Sequence, residues 1–206
     1  MQGPERARTR TFKGRTGTQF MKYSRLLAGL IVSIGFIVGQ VDSVRADGFA
    51  DGAGAYQRGD FLLARKLWTP LAVSGDARAQ FNLGVLYDDG RGVVADRVAA
   101  RSWWEKAAAQ GHREAAHNLA ASYLFGSNTV RDHETGVKFM VRAATLGLVR
   151  SQYVLGKIYL HGHGVEKDLV KARKWIETAA NNGFMKAQYN MGKLSRDGIA
   201  GPEDKQ

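Results

Sequence analysis

A period of 36 residues runs through this chain and dictates what it can fold into. Gly90, Gly126, Gly162 and Gly198 fall on it, as do Gly75, Gly111, Gly147 and Gly183. So do Tyr87, Tyr123 and Tyr159, the series Asp96, Asp132 and Asp168, and the aromatics Trp103, Phe139 and Trp175. A fixed period of about 20 to 50 residues marks a repeat architecture, in which no unit can hide its apolar face alone and neighbours must stack. Such a stack exposes an extended surface rather than an enclosed pocket. The first expectation is a binding scaffold and not an enzyme.

Within one period the apolar spacing is helical. Ala79, Leu83, Leu86 and Tyr87 lie at i, i+4, i+7 and i+8, one face of a short helix. Gly84 in its middle costs about 1 kcal/mol relative to alanine, so close approach by a neighbouring helix is expected there. Ala120, Gly156 and Gly192 fill the same slot, which accepts small residues. The helix stops at Asp88, Asp89, Gly90, Arg91, Gly92 and Val93, where glycine permits the positive φ of a tight reversal. Asp96 is placed to cap a second helix carrying Ala100, Trp103, Trp104, Ala107 and Ala108, and Gly111 is placed to end it. The next unit predicts helices over about Ala116–Leu124 and His133–Thr145, with Gly136, Phe139, Met140, Ala143 and Ala144 inward. The third carries Leu155, Ile158 and Tyr159, then Ala172, Trp175, Ile176, Ala179 and Ala180.

The expected fold is an all-α solenoid of antiparallel helix pairs, with units over about 47–78, 79–114, 115–150 and 151–186 and a partial unit over 187–200. The first unit is shorter, lacks the long glycine loop, and has Pro70 inside its second helix, where a kink is expected. The last keeps one helix, from Ala187 to about Arg196, whose polar side suits a cap. Residues 201–206 read as a disordered tail.

Residues 1–46 stand outside the period. Arg6, Arg8, Arg10, Lys13, Arg15, Lys22 and Arg25 form a basic lead; an apolar run follows from Leu26 to Val38; Val44 and Ala46 put small side chains where a signal peptidase reads. The run is short of the roughly 20 apolar residues of a membrane span. The expectation is a secretory signal cleaved after Ala46 and a periplasmic or secreted product. The alternative is an uncleaved helix anchoring the chain in the inner membrane, and Met21 offers a second start. This segment also governs the charge. The chain is +11 overall, but residues 1–46 hold 8 of 30 basic and 2 of 19 acidic residues, leaving 22 against 17, a net +5. With the excess concentrated in the lead and no basic stripe elsewhere, nucleic-acid binding is disfavoured. There is no cysteine. Stability must come from packing, and thiolate chemistry is excluded.

The run from Ala79 to Tyr87, the loop Gly90-Arg91-Gly92-Val93, and Trp103 with Lys106, Ala107, Ala108 and Gly111 resemble the Sel-one-like repeat, a relative of the tetratricopeptide repeat. Ser151 to Ala187 resembles it nearly as well, including Gly162-His163-Gly164-Val165 and Asp168. The resemblance covers about residues 47 to 200. It implies a right-handed superhelix whose concave face is lined by the first helix of each pair, and a role as an adaptor in protein complexes, in bacteria often at the envelope. The second unit departs from the pattern, with Asn128 and Thr129 where Gly and Val are usual, so its loop is expected to be reshaped. The cysteine-clamped branch of the family, for which penicillin-binding or hydrolysing activity has been discussed, is not represented here.

Candidate sites follow from the register. Asn82, Asn118 and Asn190 share one position, with Val154 breaking the series. A side-chain amide offers two donors and an acceptor to an extended peptide; the same amides can instead bond within the stack. One helical turn later come Val85, Ala121, Lys157 and Lys193, apolar in the N-terminal half and basic in the C-terminal half. A partner segment with an acidic or carboxylate end would fit that face. His161 and His163 form the chain's one His-x-His, short of the full ligand set of a zinc site. Asp88 and Asp89 read as solvated loop carboxylates, since acid–base pairs need environments that separate their pKa values. Trp68, Trp103, Trp104 and Trp175 fall on inward registers and read as core. No catalytic residue, cofactor or metal is expected. The competing readings are an envelope enzyme acting on peptidoglycan or a β-lactam, and a membrane-tethered adaptor if the N-terminal helix is retained.

Overall fold

The structure, a computed structural model, describes residues 48–126 and 131–198. The leader, Asn128 and Thr129, and the tail lie outside the described residues. Nine helices and no strand occur among them: α1 (48–57), α2 (Phe61–Val73), α3 (Ala77–Asp89), α4 (Arg97–Ala109), α5 (Arg113–Phe125), α6 (His133–Thr145), α7 (Val149–His161), α8 (Leu169–Asn181) and α9 (Met185–Arg196). Each packs on the helix before and after it, so the all-α solenoid of paired helices is what the chain forms. The helix pairs begin about two residues before the units drawn from the sequence, at Ala77, Arg113 and Val149.

Alanine at Ala100, Ala107, Ala108, Ala115 and Ala116 is fully buried and lets α4 and α5 approach closely, while Leu83, Leu119, Met140, Leu155, Ile158 and Ile176 fill the layers between. Glycine sets the closest approaches. A Cβ on Gly84 would sit 2.3 Å from the Trp104 indole nitrogen, and one on Gly156 would sit 2.5 Å from Ile176 Cγ1. In the middle unit a second small residue adds a close approach from the other helix. Ala120 stands in α5, and Gly136 in α6 takes Leu124, which a Cβ there would meet at 2.6 Å.

Aspartates cap where the spacing placed them. Asp96 accepts from the Val98 and Ala99 N–H groups, Asp132 from Thr135 and Asp168 from Lys171. The register before the first helix of each pair is less uniform: Asp76 caps α3, His112 caps α5 through Nδ1, and Leu148 and Phe184 offer α7 and α9 no side-chain acceptor. Gly90 and Gly162 end α3 and α7 in the left-handed conformation, at φ 68° and 72°. Gly126 does not; it is extended, at φ −59° and ψ 129°, so the middle unit leaves α5 by a different path. At Pro70, α2 runs on to Val73, with the Thr69 hydroxyl turned back 2.7 Å to the Arg65 carbonyl.

Two of the four tryptophans depart from the core reading. Trp68 and Trp104 are buried and donate to the Phe49 and Phe81 carbonyls, each at 3.2 Å. Trp103 and Trp175 are half-buried, and the Lys106 ammonium lies 4.2 Å from the Trp103 ring centroid. The Trp104 side of α4 faces α3; one residue back along the helix the indole reaches the edge of the layer.

Candidate functional site

The sequence predicts a surface, and the folded chain shapes it into one dent used three times. Each dent is bounded by two successive odd-numbered helices, with a side chain of the even-numbered helix between them at its base; in the second dent that helix also contributes Arg97. That base residue is Trp68, Trp104 or Ile176, all on the 36-residue register. The volumes are similar, about 320, 350 and 330 Å³. Asn82 lines the first dent, Asn118 the second and Asn190 the third. The structure thus brings each sequence-predicted asparagine to an equivalent wall, because residues one period apart on stacked helices face the same way.

The three amides are not equivalent. Asn82 and Asn118 are half-buried, and their side chains make no hydrogen bond to other described residues. Asn190 Nδ2 donates to the Tyr153 hydroxyl and to the Lys186 carbonyl, each at 2.8 Å, which ties α9 to α7 and commits both of its amide hydrogens within the stack.

Electrostatic character changes along the row. The first dent has apolar walls, from Ala53, Tyr56, Phe81 and Val85. The second holds Asp88 and Arg97, whose charged groups stand 3.6 Å apart. Burial raises the Asp88 pKa, Arg97 draws it back down, and Asp89 pushes it up again. Asp89 pairs with Arg91 at 3.3 Å. The third dent gathers Lys157 and Lys193, with Lys167 from the α7–α8 loop and His161 beside them. The His161 and His163 rings lie 5.6 Å apart, and among the described residues no group of three or more His, Asp or Glu side chains is placed to hold a metal ion.

Several features escaped the sequence reading. Gln80, Gln152 and Gln188 lie on the period and donate to the Ala72, Ala144 and Ala180 carbonyls at the ends of α2, α6 and α8. Gln110 and Asn182 then donate to Gln80 and Gln152, so a buried polar rung recurs every second unit. The glutamine spacing was visible; its role was not, because a polar residue on a helix face reads as exposed. His117 shares a 2.8 Å hydrogen bond with the wholly buried Ser151, and burial lowers its pKa to about 4. Lys167 is off the helical register and carried no signal.

The sequence model of the Sel1 repeat matches residues 77–112, 113–148, 149–184 and 186–206, together more than half of the chain. No curated protein matches it. Among solved structures, a Sel1 repeat protein from Oxalobacter formigenes is similar at 27% identity and a TM-score of 0.71, over 76% of this chain and 64% of that one. A protective antigen present in uropathogenic Escherichia coli strains, displaying the same repeat fold, is similar at 27% identity and a TM-score of 0.73, over 79% of this chain and 36% of that one. The chain therefore spans less than two thirds of the length of either. Repeat matches in register, the same helical stack and the recurring loops lead to one conclusion: the chain belongs to the Sel1 repeat family.

Proposed function

We propose that this chain is an exported, non-catalytic scaffold that captures an extended segment of another protein along the concave face built from its odd-numbered helices. The observation that carries this reading is the return of one dent at one register, with the Asn82 and Asn118 amides inside it making no hydrogen bond to the other described residues. An unengaged amide at the edge of an apolar hollow can bond a peptide backbone while the hollow takes a side chain. Sel1 repeats are helical-repeat scaffolds for protein–protein interaction, which supports the same assignment. Export rests on the basic lead, apolar run and small residues of 1–46. N-terminal sequencing of the protein from the cell envelope tests it: residue 47 is the expected start, and a start upstream of residue 40 overturns cleavage.

Photo-crosslinking groups placed one at a time at Asn82, Asn118 and Lys193 test the face, with Ser102 and Lys174 on the exposed sides of α4 and α8 as controls. Adducts with a discrete partner are expected from the first three positions. Adducts from the control positions alone would refute the assignment.

A further inference from the structure

The third dent differs from the other two in a way that specifies an occupant. Three lysines, Lys157, Lys167 and Lys193, are among the residues that line it. None of them has a carboxylate partner among the described residues, whereas Lys138 pairs with Glu134 at 2.7 Å and Lys171 with Asp168 at 2.9 Å. The one carboxylate lining the dent, Asp197, stands 3.6 Å from the Arg196 guanidinium. Among the described residues the dent's three lysines thus face a single carboxylate, and that one is shared with Arg196. Their field registers on a neighbour: His161 is held below its ordinary pKa, first by burial and then by Lys157, His163 and Lys167. Beneath the charged rim the dent is aliphatic. Leu160 forms a half-buried wall, and Leu194 and Ile176 close the base.

A cationic rim and an aliphatic base, within one hollow of about 330 Å³, must be met by a single residue that is both anionic and apolar. An aspartate or glutamate inside a partner chain brings a carboxylate but no branched apolar group beside it. A chain end brings both, since its α-carboxylate and its side chain leave the same carbon. We propose that this dent receives the C-terminal residue of a partner chain, with an aliphatic side chain against Leu160 and Leu194 and the free carboxylate among Lys157, Lys167 and Lys193. The inference rests on the peptide-capturing face proposed above and adds the direction of the captured segment: its end lies at α7–α9, and its preceding residues run towards the Asn118 and Asn82 dents. Asn190 is not a carboxylate donor here, because both of its amide hydrogens are taken.

The test is selection of the full chain against a displayed library of random ten-residue peptides with free C termini. The best binders are then synthesised as free acids and as C-terminal amides. Leucine, isoleucine or valine is expected at the last position, with the acid binding about tenfold or more tighter than the amide at low salt. In the Lys157→Gln/Lys193→Gln variant, whose exchanges lie on the surface, the acid should lose that advantage while the amide keeps its affinity. Raising the salt should shrink the advantage in the parent protein as well. Binders that show no preference at the last position, or acid and amide of equal affinity, would overturn the inference. If such binders still weaken on Asn82→Ala/Asn118→Ala, the capturing face stands without this terminus site; if no peptide is selected at all, both fall.

Discussion

Glycine at the small-residue slot gives the most demanding check on how the stack is held together. In Gly84→Ala the new methyl would meet Trp104 at 2.3 Å from Nε1 and 2.4 Å from Cδ1. The indole cannot retreat freely, because its N–H donates to the Phe81 carbonyl at 3.2 Å and its ring is buried. Overpacking costs about 1–3 kcal/mol, and losing that hydrogen bond costs about 1–3 kcal/mol more. Alanine's better helix propensity returns about 1 kcal/mol. The net expectation is a loss of about 3 kcal/mol. Gly192 is the matched control: it occupies the same slot in α9, and a Cβ there meets nothing within 4 Å. Gly192→Ala should therefore stabilise by about 0.5–1 kcal/mol. Equilibrium urea unfolding followed by helical circular dichroism reads both as shifts in midpoint at constant slope. A Gly84→Ala protein as stable as the parent, or a Gly192→Ala protein as damaged as Gly84→Ala, would refute the idea that this slot is set by a facing side chain.

Removing a polar rung should be costly although it is hydrophilic: Gln152→Ala deletes the hydrogen bonds to the Ala144 carbonyl, which keeps the Gly147 N–H, and from Asn182, and a loss of about 1–2 kcal/mol is expected by the same unfolding assay. Stability should fall with acid through His117. Its neutral form suits the fold, so the unfolded chain binds the proton near 6.5 and the folded chain near 4; stability is whole above 6.5 and declines as pH drops towards 4. The shift corresponds to about 3 kcal/mol, reduced to about 1–2 kcal/mol because the ring keeps some contact with solvent. His117→Gln should flatten that profile, and an unchanged profile would remove the assignment. Asp96→Ala should cost about 1 kcal/mol by uncapping α4, measured as a drop in unfolding midpoint. Asn118→Ala combined with Lys157→Ala should weaken partner capture in a titration while leaving helical content intact; unchanged affinity would clear that face.

Register made much of this molecule legible in advance. The positions of α4, α6 and α8 follow from Asp96, Asp132 and Asp168, because a cap is a local event whose donor and acceptor lie within one helical turn. Residues 36 apart, such as Asn82 and Asn118, were bound to line equivalent walls once the units stacked in one direction. What the period could not convey is which groups meet across the stack. The need for glycine at Gly136 in α6 depends on Leu124 lying opposite. The half-burial of Trp103 beside the full burial of Trp104 depends on which side of α4 faces α3. Asn190 looked like Asn118 and is instead engaged with Tyr153 one layer back.

Order along the chain therefore determined the helices, their pairing and the row of dents, since each is set by contacts within or between adjacent turns. Only the tertiary structure decided which amides stayed unengaged, and only it drew Lys167 from a loop to join Lys157 and Lys193. The reason is physical. Caps and helical faces are fixed by neighbours in sequence, whereas side-chain partnership and charge density are fixed by neighbours in space.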